Sequence, residues 1–441
     1  MAESWTEICL HCSSLFTSVP SHILLVTLFA TSLGLFVLFY LFLFTVAPTP
    51  RKPLPEEKKF RTISNDGSIT EPQQLPCWLD TLISEKHTSK TSDSSTIEPP
   101  ELFMSLVVPA FNEEDRLGGM LEEAVNYLER KYGTLANEQD TRATSAIRNR
   151  KTNGYANGNG NANAHPTDTG LDRGWEILIV SDGSTDKTEE MAFTFARDHQ
   201  LSSHPKAYAG PWTPKTLEGV HIPPGTIRVV SLTHNRGKGG AVTHGMRHVR
   251  GQYVVFADAD GASKFDHLGK LVTACREIED CDGRGVAVGS RAHMVGSEAV
   301  VKVIPSLWVL LLQLEKQANM RNGTYSQRSK LRNFLMHSFH LILWLLTPSK
   351  TATIKDTQCG FKLFSRASLP YIVPFMHSEG WIFDVEMLML AEFAGIPVAE
   401  VPVGWKEVMG SKLNVLRDSV GMAWGLAVLR ASWLLGVYRR T

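Results

Sequence analysis

Short, continuously apolar runs of strand length alternate with helix-like stretches after residue 101. Four such runs cover residues 103–108, 176–180, 227–232 and 253–257, and the stretches between them open with polar or Gly-rich turns. Runs without polar alternation indicate strands covered on both faces, which is typical of a parallel sheet flanked by helices. The pattern predicts an α/β fold with a mainly parallel sheet, whose ligands bind beyond the carboxyl ends of the strands.

One apolar segment near the N-terminus has the length of a membrane-spanning helix. Residues 23–46 carry no charge, and ~20 residues suffice to cross a ~30 Å hydrocarbon layer. A cleaved signal peptide would have a shorter apolar region preceded by Lys or Arg, whereas Glu3 and Glu7 precede this one. The flank that follows is basic: Arg51, Lys52, Lys58, Lys59 and Arg61. The positive-inside rule predicts a single-pass anchor, a short lumenal N-terminus (1–22) and a cytosolic remainder.

The rest of the chain divides by composition into a stem and a domain. Residues 47–101 are rich in Pro, Ser, Thr and charge without a sustained apolar period, which predicts a stem rather than a packed element. The domain, 102–441, contains a predicted disordered insertion at about 134–173, because NGYANGNGNANA buries too little apolar area to offset its ordering entropy. Membrane-proximal helices are predicted at about 298–348 and 413–440. They are either core helices or helices lying in the bilayer interface.

Composition narrows the function classes. Lys and Arg (45) balance Asp and Glu (45), and 43% of residues are hydrophobic, so neither a disordered acidic chain nor a basic nucleic-acid binder fits. Six scattered cysteines exclude a disulfide framework and suit a reducing compartment. Cys9 and Cys12 form a pair, but no second pair completes a zinc site. A membrane-anchored α/β protein that binds no nucleic acid remains.

Polar turns follow the first two strand-like runs. VPAFNEE (108–114) places Asn112 and Glu113 at the start of a helix, where carboxylates complement the helix dipole. SDGSTDKT (181–188) places Asp182 at a strand tip and Gly183 in a tight turn. The Asp182 carboxylate can accept a hydrogen bond from the N–H of a uracil or guanine ring, or it can simply stabilise the turn.

The third run leads into a loop with the composition of a phosphate site. In HNRGKGG (234–240), hereafter the Gly/Lys loop, Gly237, Gly239 and Gly240 allow the backbone to approach a ligand and Lys238 supplies a positive charge. The spacing is neither that of a Walker loop nor that of a dinucleotide fingerprint. A nucleoside diphosphate that is neither ATP-like nor NAD-like fits this loop.

The fourth run leads into FADADGAS (256–263), where two carboxylates stand two residues apart. On an extended backbone Asp258 and Asp260 face the same way. A divalent cation bridging them to a diphosphate would relieve their repulsion, and Mg²⁺ or Mn²⁺ prefers a few carboxylates with phosphate and water. A lone pair of this spacing is common by chance, so its position after an apolar strand and beside the Gly/Lys loop carries the prediction.

Later motifs add an arginine and further acidic residues. GSRAH (289–293) places Arg291 after another apolar run, DTQCGFKLF (356–364) carries Asp356, and EGWIFDVEML (379–388) carries Asp384 and Glu386. In a helix the last two point about 200° apart, so only one faces a site. We favour Asp384 as the site residue, and for Glu386 a place on the helix surface and a place in the site both stay open.

The motifs, taken in order, resemble a known family. VPAFNEE, SDGSTDKT, HNRGKGGAV and FADADGAS are similar to inverting family 2 glycosyltransferases with a GT-A nucleotide-sugar fold. GSRAH, DTQCGFKLF, FDVEML and WKEVMGSKL (405–413), together with one N-terminal anchor, extend the resemblance to dolichyl-phosphate β-glucosyltransferases. Gly380 departs from the pattern, because the family usually has Arg there.

The resemblance implies a reaction and a residue set. It implies inverting transfer of glucose from UDP-glucose to dolichyl phosphate at the cytosolic face of the endoplasmic reticulum membrane, for lipid-linked oligosaccharide assembly and N-glycosylation, with Mg²⁺ or Mn²⁺. The implied site residues are Pro109, Phe111, Glu113 and Asp182 around the uridine, Lys238 and Gly239 near the diphosphate, Asp258 and Asp260 on the metal, Arg291 facing phosphate, and Asp384 near the acceptor.

Three alternatives stay open from the residues alone. A polyisoprenyl-phosphate mannosyltransferase using GDP-mannose would keep the fold and change the substrates. A processive polysaccharide synthase fits less well, because it normally has more spanning helices and a Q-x-x-R-W motif that this chain lacks. A non-catalytic membrane scaffold is disfavoured by the intact Asp258, Asp260 and Lys238. A homo-oligomer is compatible with each.

Overall fold

The computed structural model describes residues 20–88, 97–133, 172–214, 217–294, 343, 345–408 and 415–439. The chain divides into two compact units, Met1–Pro48 with Trp424–Thr441, and Thr49–Ala423. Almost all of the expected insertion at 134–173 and most of 298–348 lie outside the described residues, as do Cys9 and Cys12. The described cysteines, Cys77, Cys275, Cys281 and Cys359, are free thiols.

The described residues contain nine strands, ten α-helices and four short 3₁₀ helices. The strands are β1 (Lys59–Phe60), β2 (Gln73–Gln74), β3 (Leu102–Ala110), β4 (Trp175–Ser181), β5 (Ile227–Ser231), β6 (Gly251–Ala257), β7 (Val286–Ser290), β8 (Phe361–Ser365) and β9 (Val398–Pro402). The helices are α1 (Ser21–Val46), α2 (Trp78–Thr88), α3 (Leu117–Tyr132), α4 (Thr188–Leu201), α5 (Lys238–Met246), α6 (Leu268–Ile278), α7 (Ser349–Thr353), α8 (Leu369–Ile372), α9 (Phe383–Phe393) and α10 (Val415–Leu434).

Helix α1 has the surface of a lipid-facing helix. It is long and apolar enough to cross a membrane, and its large side chains are exposed, with Leu25 at 64% and Phe29 at 70%. The Thr27 and Thr31 hydroxyls donate to the Ile23 and Thr27 carbonyls at 3.0 and 2.9 Å. Polar groups satisfied within the helix are what a hydrocarbon environment requires.

Seven strands form one mixed sheet in the order β5-β4-β3-β6-β8-β7-β9. Strands β5, β4, β3 and β6 are parallel neighbours, and they coincide with the four runs singled out by their continuous hydrophobicity. Every residue of β4 and β6 is buried, because helices cover both faces of the sheet. The α/β class with a mainly parallel sheet is therefore confirmed.

The other half of the sheet contains its antiparallel strand. β8 runs antiparallel to both β6 and β7, while β9 is parallel to β7. Because β6 and β8 are antiparallel, the chain leaving β6 and the chain entering β8 lie at the same edge of the sheet. That edge is also where β3, β4 and β5 end.

The helix α3 shows how the layers pack. Apolar side chains at three- and four-residue spacing, from Leu117 through Leu121 to Leu128, are buried against the sheet. Burying each such side chain contributes roughly 1.5–3 kcal/mol. This packing fixes the loop between β3 and α3 at the carboxyl edge.

The predicted stem is wrong for residues 49–88, which pack on the domain. Arg61 and Val229 exchange two backbone hydrogen bonds of 2.9 Å at the edge of β5. Phe60 and Leu75 are buried with Leu178 and Val230, and the indole N–H of Trp78 donates to the Met246 carbonyl at 2.7 Å. The polar composition misled the prediction, since long-range ion pairs and hydrogen bonds replace apolar periodicity here.

Candidate active site

The first two loops at the carboxyl edge are tied together by Asn112. It has a left-handed backbone with φ of 54°, which Asn tolerates better than most residues. Its side-chain oxygen accepts from the Thr185 N–H at 2.7 Å, and its own N–H donates to Ser184 Oγ at 3.1 Å. The neighbouring Phe111 is 36% exposed, and Pro109 lies in β3 opposite Val180. Contacts of Pro109 and Phe111 with uridine stay a prediction.

Glu113 is held beside an arginine that sequence reasoning did not single out. Its backbone N–H donates to Thr188 Oγ1 at 2.7 Å, and its carboxylate accepts from Arg116 at 2.6 Å. The other guanidinium nitrogen of Arg116 lies 3.9 Å from Asp260 Oδ2. Arg116 thus lies between Glu113, which is predicted to contact uridine, and Asp260, which is predicted to bind the metal.

Asp182 holds the Gly/Lys loop. Its two carboxylate oxygens accept from the backbone N–H groups of Arg236 at 2.7 Å and Gly237 at 2.9 Å. Burial raises the pKa of Asp182 to about 6, and those two hydrogen bonds oppose the rise. The side chain stabilises a turn, but the turn is the one after β5 rather than its own. Its contact with a uracil ring remains a prediction.

The glycines of the Gly/Lys loop serve a packing role. Gly237 has φ of 83° and an added Cβ would lie 2.6 Å from the Glu379 carbonyl; at Gly239 it would lie 2.5 Å from Phe383 Cβ. The loop is therefore pressed against the chain that enters α9. Packing against Phe383 is sufficient to explain the glycine at position 239. A close approach of its backbone to a ligand stays a prediction.

Lys238 and the pair Asp258 and Asp260 meet beyond the ends of β5 and β6. Lys238 Nζ lies 2.6 Å from Asp258 Oδ1, and the two aspartate side chains are 34% and 28% exposed. Burial lowers the pKa of Lys238, but the carboxylates of Asp258 and Asp384 outweigh it and raise the pKa above its ordinary value. Burial, and then the charge of Asp258, raise the pKa of Asp260. The three groups are brought together as the sequence predicts.

A glycine lies directly beneath the pair. The Asp258 N–H donates to the Gly360 carbonyl at 3.2 Å, and a Cβ added at Gly360 would lie 2.1 Å from Asp258 Oδ2. Any side chain at position 360 would displace that carboxylate. Gly360 could not be found from the sequence, because nothing in DTQCGFKLF marks this glycine as a neighbour of Asp258.

These residues fit a hard divalent cation. Two adjacent, partly exposed carboxylates are suitable ligands. Burial, and after it the charge of Asp258, raise the pKa of Asp260, and a cation would relieve the repulsion between the two carboxylates. Within the ranges that the structure describes, no cluster of three or more His, Cys, Asp or Glu residues could hold a metal ion. Mg²⁺ and Mn²⁺ are commonly held by one or two carboxylates together with substrate phosphate and water, which is a ligand set that this pair can begin.

Asp384 is buried and paired with a lysine. The residue is 3% exposed and accepts a short hydrogen bond from Lys362 Nζ, which also donates to the Cys359 carbonyl at 2.8 Å. Burial raises the pKa of Asp384, and the charges of Lys362 and Lys238 oppose that rise. Asp384 therefore lies behind Lys238 as a second counter-charge. Its predicted place near the acceptor stays a prediction.

Glu386 does not lie on the helix surface, which was one of its two open alternatives. It is fully buried and accepts from the backbone N–H groups of His377 at 3.0 Å and Ser378 at 2.7 Å. The physical reason is that the chain preceding α9 folds back over the start of the helix. Asp384 and Glu386 point to different sides, as predicted, but both sides are covered.

Arg291 is engaged by Asp356. Its Nε and Nη2 donate to the two carboxylate oxygens at 2.7 and 2.8 Å, and its guanidinium lies 5.7 Å from the ring centre of Trp405. Burial opposes the charge of Arg291, yet the hydrogen bonds to Asp356 raise its pKa above the ordinary value. One third of the side chain stays exposed. A further contact with phosphate is a prediction.

Comparison with known proteins identifies the family. The model of glycosyl transferase family 2 matches residues 213–338. The dolichyl-phosphate beta-glucosyltransferase of Saccharomyces cerevisiae is 34% identical over 93% of this chain and 93% of its own length. The chain belongs to the dolichyl-phosphate β-glucosyltransferase family. The Homo sapiens member is 31% identical over 78% of this chain and 79% of its own.

Membership of this family confirms the GT-A fold class that the motifs predicted. Among solved structures, glucosyl-3-phosphoglycerate synthase from Mycobacterium tuberculosis, crystallised with Mg²⁺ and UDP, matches at 15% identity. The match covers 76% of this chain and 80% of that one, with a TM-score of 0.38.

The departure at Gly380 from the family's usual Arg is not forced by packing. An added Cβ at Gly380 would have no atom within 4 Å. The preceding residue, Glu379, accepts from Arg51 Nε at 2.6 Å. The Arg51 guanidinium therefore contacts the residue next to Gly380.

Proposed function

We propose that the protein transfers glucose from UDP-glucose to dolichyl phosphate with inversion, giving dolichyl β-D-glucosyl phosphate. The observation that carries the proposal is membership of the dolichyl-phosphate β-glucosyltransferase family over nearly the whole chain. The site supports it, because Asp258, Asp260 and Lys238 converge where nucleotide ligands of open α/β sheets bind.

Asp258 and Asp260 are the proposed ligands of Mg²⁺ or Mn²⁺. When bound, the cation would neutralise charge on the diphosphate of the donor. Lys238, at the first position of α5, and Arg116, beside Asp260, supply further positive charge at the same edge of the sheet. Positive groups that are already in place where negative charge develops on the departing diphosphate stabilise the transition state more than the ground state.

The acceptor brings its own nucleophile in this proposal. A phosphate monoester with a second pKa of ~6 is largely dianionic at neutral pH, so one of its oxygens attacks the anomeric carbon of glucose without a protein base. The bond from that carbon to the UDP oxygen breaks, and its electron pair leaves with UDP. Asp384, buried against Lys362, is suited to positioning Lys238 rather than to removing a proton.

The proposed location is the endoplasmic reticulum membrane with the catalytic domain in the cytosol. Helix α1 would anchor the chain, and confinement at the membrane raises the effective concentration of a lipid acceptor. The sequence supplies a test of orientation, since Asn322-Gly323-Thr324 is the only glycosylation sequon. A glycan on Asn322 in the native protein would contradict a cytosolic domain.

Lipid product analysis tests the reaction. Purified full-length protein is incubated with radiolabelled UDP-glucose or GDP-mannose, dolichyl phosphate and Mg²⁺, in parallel with samples containing EDTA. We expect a glucosyl lipid from UDP-glucose alone, lost with EDTA. A mannosyl lipid would favour the polyisoprenyl-phosphate mannosyltransferase, and the absence of any labelled lipid would favour a non-catalytic scaffold.

A further inference from the structure

Residues 51–57, hereafter the 51–57 segment, lie against the Gly/Lys loop instead of leading away from it. Glu57 is 1% exposed. Its carboxylate accepts from the Thr233 N–H at 3.1 Å and from the Leu54 N–H at 2.8 Å. Its backbone carbonyl is 2.8 Å from Nε2 of His244 on α5. One residue therefore contacts the chain before the Gly/Lys loop and the helix after it.

Arg236 joins the loop to the same segment from the other side. It is 8% exposed and forms a short ion pair with Glu57. Its remaining guanidinium hydrogen bonds go to the Arg51 and Lys52 carbonyls, at 2.8 and 3.1 Å. Its backbone N–H, meanwhile, donates to Asp182. The loop is thus held by Asp182 through its backbone and by the 51–57 segment through this side chain.

Arg51 adds a third attachment. Its Nε and its backbone N–H donate to the Glu379 carboxylate at 2.6 and 3.1 Å, and its Nη1 donates to the Asn235 carbonyl at 3.1 Å. Glu379 in turn accepts the Gly240 N–H at 3.1 Å through its own carbonyl. Both ends of the Gly/Lys loop are therefore tied to Arg51 or to its partner.

We propose that the 51–57 segment is a positioning element of the donor-diphosphate site, with Glu57 and Arg51 as its positioning residues. The inference rests on the proposed function, because it assigns the Gly/Lys loop to the donor. Only the four residues 47–50 separate the segment from the end of α1, so the residues that connect the anchor to the domain also set the place of Lys238. A domain beginning at residue 102 would lack this support.

Glu57 compensates the buried positive charge of Arg236. Without the Glu57 carboxylate, Arg236 would keep its positive charge in a buried place with carbonyl partners alone, which is costly. The loop would then relax toward water, and the N–H groups that Asp182 holds would lose their fixed place. Lys238 follows Arg236 by two residues, so its ammonium would move with the loop.

The experiment compares Glu57→Gln with a matched control in the full chain in detergent. Arg61→Gln is the control, because Arg61 belongs to the same N-terminal stretch and pairs with Glu189 on α4 instead of the loop. Two readouts are measured: hydrogen exchange of peptides covering 232–246, with peptides covering α6 as reference, and the Kd of UDP in the presence of Mn²⁺. Arg51→Gln, half-exposed in the unsubstituted protein, is a milder second variant.

For Glu57→Gln we expect faster exchange confined to 232–246 and a UDP Kd raised roughly ten- to hundredfold, the effect of losing a hydrogen bond to a charged group. Arg51→Gln should change both in the same direction by less, and Arg61→Gln should change neither. If Glu57→Gln does not fold, Arg51→Gln decides.

Unchanged exchange in 232–246 for the folded variants would overturn the positioning role. Failure of the unsubstituted protein to bind UDP would instead overturn the proposed donor, and the exchange comparison, which needs no nucleotide, would still decide whether the segment holds the loop.

Discussion

The candidate site contains two partly exposed carboxylates and one buried carboxylate, and their surroundings differ. Asp258 and Asp260 leave β6 toward the open edge of the sheet, with side chains 34% and 28% exposed. Asp384 lies in the first turn of α9, with a side chain 4% exposed and fully buried Lys362 as its partner. Asp258 and Asp260 face the place where a ligand can enter, and Asp384 faces the protein interior.

The difference shows how one residue type serves two purposes. A carboxylate pair that keeps contact with water can exchange partners, so a cation and a diphosphate can bind there. A carboxylate with a permanent buried lysine cannot do so without leaving a charge unpaired. Lys238 interacts with both kinds of carboxylate. It pairs with Asp258, and the charge of Asp384 contributes to its raised pKa.

Breaking the buried pair should have the largest effect. Lys362→Met leaves the Asp384 carboxylate without its partner, and we expect a loss of about 3–5 kcal/mol in the free energy of unfolding. The double variant Lys362→Met with Asp384→Leu should recover most of that loss, since it removes both charges. Equilibrium unfolding in one detergent measures all three proteins. A double variant as unstable as the single one would contradict the buried-pair interpretation.

Neutralising one of the exposed aspartates should reduce the rate of catalysis and leave the free energy of unfolding nearly unchanged. Asp258→Asn should lower kcat ~10²–10³-fold, the usual cost of removing one key electrostatic group, while unfolding changes little. Asp384→Asn should lower kcat less, because Asp384 acts through Lys238. Steady-state assays with saturating donor test both, and Asp266→Asn, an exposed residue, is the control. An equal or larger loss at Asp384 would assign the chemistry to the wrong group.

A pH series sharpens the contrast through Asp182, a buried carboxylate without a lysine partner. Its folded pKa of about 6 exceeds the unfolded value of about 4, so between these pH values the folded protein binds the extra proton. Its contribution to stability therefore decreases as the pH rises through that window. Relative to Asp182→Asn, which does not titrate, the free energy of unfolding should fall by up to about 2 kcal/mol from pH 4 to pH 7. A difference independent of pH would be inconsistent with a raised pKa.

The smallest effect is expected where both partners are exposed. Arg130 and Asp266 lie 3.4 Å apart with side chains 68% and 56% exposed. Arg130→Ala should change the free energy of unfolding by less than about 0.5 kcal/mol. Thermal and denaturant unfolding measure it, and a larger loss would mean that exposure does not separate the two kinds of carboxylate here.

The hydrophobic pattern predicted β3 to β6, and the apolar run before Arg291 corresponds to β7, whereas β8 and β9 were not predicted. β3 to β6 are continuous apolar runs, whereas Lys362 interrupts β8, and Glu400 and Pro402 interrupt β9. A charged residue in a fully buried strand contradicts the pattern that strand prediction uses. Its partner, Asp384, is 22 residues further along the chain, beyond any local window.

The site was predicted where strand ends alone determine it. Asp258, Asp260 and Lys238 follow strands that end at one edge, so their meeting follows from the parallel topology. Arg116, Gly360 and Glu57 could not be found in this way, because their roles depend on side-chain packing between distant segments. Glu57 and Arg236 are 179 residues apart in sequence, and the polar stretch around Glu57 reads as a linker until its partner is known.

The pairing of β6 with β8 has a consequence for folding. In the observed register Lys362 is opposite Phe256, with its ammonium 5.3 Å from the centre of that ring. A slip of one residue would turn Lys362 to the other face of the sheet and bury its charge among apolar side chains. Misaligned pairings are therefore energetically unfavourable during folding. Lys362 thus helps to fix the register of β8 against β6, the strand that Asp258 follows.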